Sequence, residues 1–217
     1  MASTPAVHVT MAGTLRGALI VLEGLDRTGK TTQGNLLLEA LRARGVHVQA
    51  LRFPDRTSVT GKLLTEVLTG KTQLPAEAVH LLFSANRWEA QEHMRSLLRQ
   101  GTTLVVDRYS YSGIAYSHAK GLDMDWCARP DKGLLAPDLV LFLDIDPEVA
   151  QKREGYGEEV YERVDFQRRV RDGFRRLSDR SWQVVDAARS IDEIHEEMLK
   201  HATACLRTLA RDSLQYI

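Results

Sequence analysis

The sequence has 217 residues, of which 43% are hydrophobic and 27% charged, a balance typical of a folded globular domain and not of a disordered or fibrous chain. The 29 basic residues equal the 29 acidic residues in number, so no overall field would draw the chain to nucleic acid or to an anionic membrane. No apolar run approaches the roughly 18 residues of a membrane span, and Cys127 and Cys205 stand apart from any C-x-x-C pair or Cys/His cluster, which argues against a disulfide framework and a zinc site.

The first part of the chain carries neither a helical nor a strand pattern. Residues 1–16 contain serine and threonine and no acidic residue, but the single Arg16 is too little positive charge for a transit peptide. We therefore predict a flexible tail over 1–16, followed by one domain over 17–217.

Strand and helix patterns alternate through this domain. The predicted elements are strand 18–23, helix 30–44, strand 46–52, helix 75–100, strand 103–107, helix 110–119, strand 139–144, helix 165–178, strand 182–185 and helix 191–209. This alternation predicts an α/β fold with a doubly wound, parallel, five-stranded sheet flanked by helices. A polar stretch with two glycines at about 152–160 is predicted to be either a short lid or a plain surface loop.

The most specific motif lies between the first predicted strand and the first predicted helix. Residues 24–31 satisfy G-x-x-x-x-G-K-S/T in the strand–loop–helix context that the motif requires. The glycines let backbone N–H groups close around phosphate oxygens at a helix N-terminus, where the helix dipole favours anions. Lys30 is placed to reach the β and γ phosphates and Thr31 to hold Mg²⁺. The sequence therefore predicts the phosphate-binding loop (P-loop) of a nucleotide-binding enzyme.

A carboxylate ends the third predicted strand. Asp107 follows the apolar residues 104–106 at the carboxyl edge of the sheet, where doubly wound folds bind their ligands. Two interpretations stay open at this point: Asp107 orients Mg²⁺ through water, or it caps the helix that follows.

Four segments together resemble the thymidylate kinase family. They are EGLDRTGKTT at 23–32, RFPDR at 52–56, LLFSANRW at 81–88 and VDRY at 106–109, and the similarity extends from Gly17 to about Ile194. The resemblance implies a P-loop kinase that transfers the γ-phosphoryl group of ATP to dTMP, giving dTDP and ADP for dTTP biosynthesis, with Mg²⁺ as the cofactor. It also implies a homodimer, and we expect a cytoplasmic protein, with mitochondrial or nuclear targeting left open.

On the ATP side, the resemblance assigns the whole P-loop and two basic residues beyond it. Arg27 is an arginine inside the loop that can act as an arginine finger, because the predicted lid carries three acidic residues with Arg153 at its edge. Arg189 matches a basic residue near adenine. The implied ATP-binding residues are Gly24, Leu25, Asp26, Arg27, Thr28, Gly29, Lys30, Thr31, Thr32, Arg153 and Arg189.

On the dTMP side, Phe83 and Arg87 lie four residues apart and so project from one face of a helix. The resemblance places Phe83 flat against thymine and Arg87 at the base edge, although the residues alone would make Phe83 an ordinary core residue beside Val79 and Leu82. It implies that Arg56 and Arg108 bind the monophosphate. The alternative interpretation is that both are ordinary surface arginines. The implied dTMP-binding residues are Asp26, Phe53, Arg56, Phe83, Arg87, Arg108, Tyr116 and Tyr161.

The resemblance gives three of these residues a specific role. It implies that Asp26 contacts the sugar 3′-hydroxyl, that Tyr161 crowds a ribose 2′-hydroxyl, and that Tyr116 lies near the base. The implied catalytic residues are Asp26, Arg27, Lys30 and Arg108, with Thr31 and Asp107 at the metal. The arginine-rich run 168–176 is interpreted as a solvated helix face.

Two other functions compete with this interpretation. A deoxynucleoside kinase would need a carboxylate base for its neutral hydroxyl acceptor, and Asp55 is the candidate, but the adjacent Arg56 suits a phosphate acceptor better. A nucleotide-dependent switch would need an N-K-x-D or T-K-x-D signature for guanine, which the sequence lacks.

Overall fold

The computed structural model describes residues 16–153, 161, 163–179, 182–209 and 213–217. The predicted tail up to residue 15 and residues 154–160 of the predicted lid lie outside this part of the chain. The strands are β1 (Leu19–Gly24), β2 (Val48–Arg52), β3 (Thr103–Asp107), β4 (Leu139–Asp144) and β5 (Trp182–Asp186). They form one parallel sheet in the order β2-β3-β1-β4-β5, which confirms the predicted fold class.

Helices cover both faces of this sheet. They are α1 (Lys30–Ala43), α2 (Val59–Leu68), α3 (Ala76–Arg99), α4 (Ser110–Ala119), α5 (Met124–Ala128), α6 (Pro147–Ala150), α7 (Val164–Leu177) and α8 (Ile191–Thr208), with a 3-10 helix at Arg129–Asp131. Of these, α2, α5, α6 and the 3-10 helix are not predicted from the sequence. None of the described helices combines the length and apolarity needed to cross a membrane.

The central strand β1 is buried along its whole length. Because successive side chains of a strand point to opposite faces, Ile20 and Leu22 pack with residues of α1 and α8, whereas Leu19 and Val21 pack with Met94 and other residues of α3. A third cluster joins β4 to α4 and α7. The chain crosses from β3 over β1 to β4, so the carboxyl ends of β1 and β3 form the crevice in which such sheets bind ligands.

The amino edge of the sheet is closed by an ion pair. Arg16 donates to Asp138 from Nη1 at 2.8 Å and from Nη2 at 2.6 Å, and Asp138 also accepts from the backbone N–H of Leu19. Arg16 is buried. It therefore belongs to the folded domain, and the predicted boundary of the tail at residue 16 is one residue too late.

The last described segment is attached to the loop that follows the 3-10 helix. Gly133 donates its N–H to Ile217 O and Ala136 donates to Gln215 O, in an antiparallel bridge between Leu135 and Tyr216. Leu214 and Ile217 pack against the buried cluster that contains Leu19, Val21 and Met94. These contacts fix the loop beside α3.

Candidate active site

A cavity of about 350 Å³ opens at the carboxyl ends of β1 and β3. Its walls come from the P-loop, the loop after β2, one face of α3, and α4. The predicted site residues that line it are Asp26, Arg27, Thr28, Gly29, Lys30, Thr31, Thr32, Phe53, Arg56, Phe83, Arg87, Asp107, Arg108, Tyr116 and Tyr161. Residues far apart in the sequence thus meet in one pocket.

The P-loop owes its shape to residues in unusual backbone conformations. Gly29 has φ 91° at the start of α1, and Gly24 has φ 150° with room for no side chain, because an added Cβ would lie 2.6 Å from Leu143 O. Lys30 is buried inside the loop, where Nζ donates to the carbonyls of Gly24 and Leu25. Burial, with the nearby charge of Arg108, lowers the pKa of Lys30 to about 7. The loop thus carries a shielded ammonium group at the cavity wall.

Two arginines meet at the ATP side of the loop. Arg27 adopts a left-handed conformation, φ 60°, and lines the cavity. Arg153 donates from Nη1 to Arg27 O at 2.9 Å and from Nη2 to Ala187 O at 2.6 Å. Its guanidinium therefore bridges the P-loop and the loop between β5 and α8.

Arg189 is placed differently. It pairs with Glu197 and donates from Nε to Asp186 O at 3.2 Å, and it lies outside the residues that line the cavity. Gly24, Leu25 and Arg153 also lie outside the lining set, although all three contact residues within it. The contact of Arg189 with adenine stays a prediction.

Asp26 is the centre of the polar contacts in the cavity. It accepts hydrogen bonds from Arg108 Nη2 at 2.5 Å, from Tyr116 Oη at 2.9 Å and from Gln167 Nε2 at 2.7 Å. Burial would raise the pKa of Asp26, but the charges of Arg108 and Lys30 and these hydrogen bonds hold it below its ordinary value. Asp26 is therefore an anion that aligns cationic and phenolic groups around the cavity.

Arg108 is held from a second side by α4. Its Nη1 donates to Gly24 O at 2.9 Å and to Ser112 Oγ at 3.1 Å. Ser112 in turn binds the buried Glu23, which also accepts from the backbone N–H of Tyr109 at 3.0 Å. Burial raises the pKa of Glu23. This series of hydrogen bonds fixes Arg108, whose φ of 66° is a strained backbone conformation for a residue other than glycine.

The wall of the cavity where the sequence analysis expects the base is formed by α3. Phe83 is half-buried and lines the cavity, and it belongs to none of the three buried clusters of the described residues, so the alternative of a core phenylalanine is wrong. Arg87 lines the same wall and is fully buried. Phe53 supports this region by packing on Tyr109, with 5.6 Å between ring centroids.

Thr31 and Asp107 lie side by side at the loop. Thr31 Oγ1 donates to Asp107 Oδ2 at 3.0 Å, while Asp107 Oδ1 is buried and has no hydrogen-bond partner among the described residues. Helix α4 begins after Tyr109 without a side-chain cap, so the alternative of Asp107 as a cap is wrong. A hydroxyl next to an unsatisfied carboxylate oxygen is a donor set suited to Mg²⁺, which keeps several waters and takes few protein ligands.

The sequence did not predict three residues that complete the site. Gln167 directly precedes the arginine-rich run and binds Asp26. Lys120 lines the cavity and donates from Nζ to Tyr161 Oη at 2.7 Å, and burial lowers the pKa of Lys120 to about 8. Lys120 caps the end of α4 four residues after Tyr116, and this spacing could have indicated it. Asp131, which binds Arg87, offers no such local signal.

Comparisons with known proteins agree with this geometry. A family model described as Thymidylate kinase matches residues 22–198. The thymidylate kinase of Arabidopsis thaliana is 53% identical over 84% of this chain and 70% of its own, and that of Homo sapiens is 47% identical over 92% of this chain and 96% of its own. A solved structure of thymidylate kinase from Candida albicans is similar with a TM-score of 0.86 at 39% identity, covering 93% of this chain and 98% of that one.

Proposed function

The chain belongs to the thymidylate kinase family and phosphorylates dTMP to dTDP with ATP as the donor, and we propose that the cavity at β1 and β3 is where this transfer takes place. The observation that carries the proposal is the meeting, in one cavity, of Lys30 and Thr31 of the P-loop with Phe83 and Arg87 of α3. The first pair suits the phosphates of ATP and the second suits a pyrimidine base.

The acceptor nucleotide lies along α3 and α4. Phe83 stacks on the thymine ring, and Arg87 donates hydrogen bonds to its carbonyl edge. The 5′-phosphate is bound by Arg56 and Arg108, because forked guanidinium groups give bidentate contacts to phosphate oxygens. With the base and the 5′-phosphate bound in this way, Asp26 lies beside the sugar.

The sugar lies beside the phosphate, because its proposed partner Asp26 is paired with Arg108. Asp26 accepts from the 3′-hydroxyl, and Tyr116 supports Asp26 through its own hydroxyl group. Tyr161, stacked on Phe166 with 5.5 Å between ring centroids, crowds the position of a ribose 2′-hydroxyl. The packing of Tyr161 supports this role, since a fixed ring excludes an added oxygen better than a mobile one.

The chemistry needs little acid–base help. The second pKa of a phosphate monoester is near 6, so dTMP is mostly a dianion at neutral pH. An oxygen of its phosphate attacks the γ-phosphorus of ATP, the bond from the γ-phosphorus to the bridging oxygen breaks, and ADP leaves with that electron pair. Lys30 and Arg27 stabilise the charge that develops on the transferring group and on the leaving oxygen.

Mg²⁺ fits the residues present. Thr31 Oγ1 and Asp107, whose buried Oδ1 lacks a hydrogen-bond partner among the described residues, would hold the ion directly or through water. When bound, it would supply positive charge that offsets the negative charge of the ATP phosphates.

The geometry disfavours the rival deoxynucleoside kinase. Asp55, the candidate base, accepts from Thr57 N at 2.9 Å and from Thr57 Oγ1 at 2.7 Å, and these hydrogen bonds lower the pKa of Asp55. It also lies outside the residues that line the cavity. Asp55 therefore closes a turn in the loop after β2, whereas Arg56 beside it lines the cavity.

The assembly and the compartment are also proposals. A homodimer is supported by Leu81 and Trp88, which lie two helical turns apart on α3 and expose 47% and 40% of their surface. Light scattering of the purified protein would test it. The cytoplasmic location, with mitochondrial or nuclear targeting left open, rests on the sequence alone.

Replacing Phe83 by alanine tests the base site. Base–aromatic stacking contributes roughly 1–3 kcal/mol per base, so Phe83→Ala should weaken dTMP binding by about 5- to 150-fold, with the ATP KM nearly unchanged. Isothermal titration of dTMP into both proteins measures this. Unaltered dTMP affinity would remove Phe83 from the site.

A further inference from the structure

A buried carboxylate lies directly behind the base side of the cavity. Asp131, the last residue of the 3-10 helix, is fully buried and does not line the cavity. It accepts from Ser84 Oγ of α3 and from Ser110 Oγ of α4, each at 2.6 Å. Both of its oxygens are thus anchored to the two helices that form the base side.

The main partner of Asp131 is Arg87. The guanidinium donates from Nε at 3.3 Å and from Nη2 at 3.0 Å to Oδ1, and Nη2 lies 2.8 Å from Oδ2. The third nitrogen, Nη1, has no hydrogen-bond acceptor within the part of the chain that the structure describes. Because Arg87 lines the cavity, Nη1 is the donor left for a ligand.

Helix α4 fixes the guanidinium from the other side. A Cβ added to Gly113 would lie 2.7 Å from Arg87 Nη2 and 2.9 Å from Nη1, so the backbone of α4 packs against the group directly. Asp131 therefore holds one edge of the guanidinium while Gly113 packs against its terminal nitrogens. The direction of the Nη1 donor is set by these two contacts and not by Arg87 itself.

We propose that Asp131 is a positioning residue that aims Arg87 Nη1 and thereby sets the preference for a pyrimidine with a carbonyl oxygen at position 4. Thymine presents an acceptor there and cytosine an amino donor. A fixed N–H donor binds the carbonyl oxygen of thymine and disfavours the amino group of cytosine, because two donors facing each other in a buried site leave both unpaired. A guanidinium that can turn away loses this discrimination. The proposal depends on the base contact of Arg87 in the proposed function.

The charge of Asp131 is needed as well as its shape. Arg87 exposes only 2% of its side chain, and a buried guanidinium without a counter-ion is strongly destabilised. An asparagine would keep one acceptor oxygen but present an amide donor to groups that are themselves donors. The guanidinium would then rotate towards other acceptors, and Nη1 would leave its position.

The test measures the KM for dTMP and the Ki of dCMP as a competitive inhibitor, with Asp131→Asn and Asp131→Glu compared with the parent. We expect the dTMP KM to rise at least about tenfold and the ratio of dCMP Ki to dTMP KM to fall at least about tenfold, with the ATP KM within about twofold of the parent. Asp131→Glu keeps the charge and shifts the carboxylate by one methylene, so it decides the question even if Asp131→Asn does not fold.

The matched control is Asp138→Asn, which breaks the buried, bidentate Arg16 pair at the opposite end of the sheet. It should lower the melting temperature without changing the selectivity ratio. Arg87→Met distinguishes an error in the base contact of Arg87 from an error in the positioning role of Asp131. If Arg87→Met keeps the parental dTMP KM and ratio, the base contact in the proposed function is wrong. If Arg87→Met changes both, while the folded Asp131 variants keep the parental values, the positioning role of Asp131 is overturned.

Discussion

At the scale of single residues, the site is organised by buried charges whose partners are distant in the sequence. Asp26 binds Arg108 and Gln167, and Arg87 binds Asp131, so each of these two cavity residues is held by partners from other parts of the chain. Each charge is compensated, so the desolvation cost of burying it is offset by hydrogen bonds of defined direction. Phosphoryl transfer depends more on the direction of these hydrogen bonds than on their strength, because the reacting groups must be aligned.

Arg27 is the residue on which the rate should depend most. As the proposed arginine finger, Arg27 would bind the transferring group more strongly in the transition state than in the ground state, so Arg27→Ala should lower kcat by about a thousandfold and change the KM for either substrate little. Steady-state kinetics with both substrates measures this, with Arg44→Ala on the exposed end of α1 as a control that should keep the parental kcat. A fall in kcat of less than about tenfold, or only ~1.4 kcal/mol of barrier, would contradict the role.

Lys120 should make stability depend on pH in a defined window. Burial lowers the pKa of Lys120 from 10.5 to about 8 in the folded protein. Between these values the unfolded chain binds a proton that the folded chain does not, so stability rises with pH across the window. Relative to Lys120→Met, the parent should gain on the order of 2–3 kcal/mol in the free energy of unfolding from pH 8 to 10.5.

Urea unfolding of both proteins at the two ends of this window provides the measurement. Lys200→Met, on the exposed face of α8, is the matched control and should show no such gain. A parental stability that moves in parallel with that of Lys120→Met would mean that Lys120 keeps its proton when the protein folds.

At the scale of elements, the long strands and helices were predictable and the short connecting ones were not. The apolar strands and the helical patterns of α1, α3 and α8 lie in the sequence itself. Helix α2 was not predicted, and its first turn depends in part on a tertiary contact, because Asn86 of α3 donates at 2.9 Å to the capping Ser58 Oγ. The 3-10 helix is likewise held in place by Asp131, a contact that no spacing reveals.

The loop that carries Arg56 is fixed by one amide of α3. Asn86, fully buried, accepts from Asp55 N at 2.7 Å and donates to Ser58 Oγ at 2.9 Å and Thr60 Oγ1 at 3.0 Å. Asn86→Ala should therefore cost about 1–3 kcal/mol of stability and raise the dTMP KM several-fold while leaving the ATP KM unchanged. Kinetics and thermal unfolding together measure the two effects.

Gln33→Ala is a suitable comparison for Asn86→Ala, since Gln33 is also buried and its amide also binds another element, through Ile191 O at the start of α8. It should lose stability without raising the dTMP KM. If both variants show the same KM pattern, the loop after β2 does not depend on Asn86 for the placement of Arg56.

At the scale of the whole molecule, the sheet order brings the carboxyl ends of β1 and β3 together at the cavity that we propose for both substrates. The equal numbers of basic and acidic residues mean that binding two polyanions depends on the local cations of this cavity and not on an overall field. The P-loop could be identified from its motif alone. The dTMP side required the family resemblance, because Phe83 and Arg87 look like ordinary helix residues until the fold places them beside the loop.

The central claim is that this cavity transfers a phosphoryl group to a nucleoside monophosphate. It is tested most directly by the initial rate of ADP release from ATP with dTMP, with thymidine, and with no acceptor. We expect a saturable rate with dTMP and only the acceptor-free background with thymidine, because the site binds the acceptor phosphate and supplies no carboxylate base for a hydroxyl group. Turnover of thymidine comparable with that of dTMP, or ADP release that does not depend on dTMP, would contradict the account.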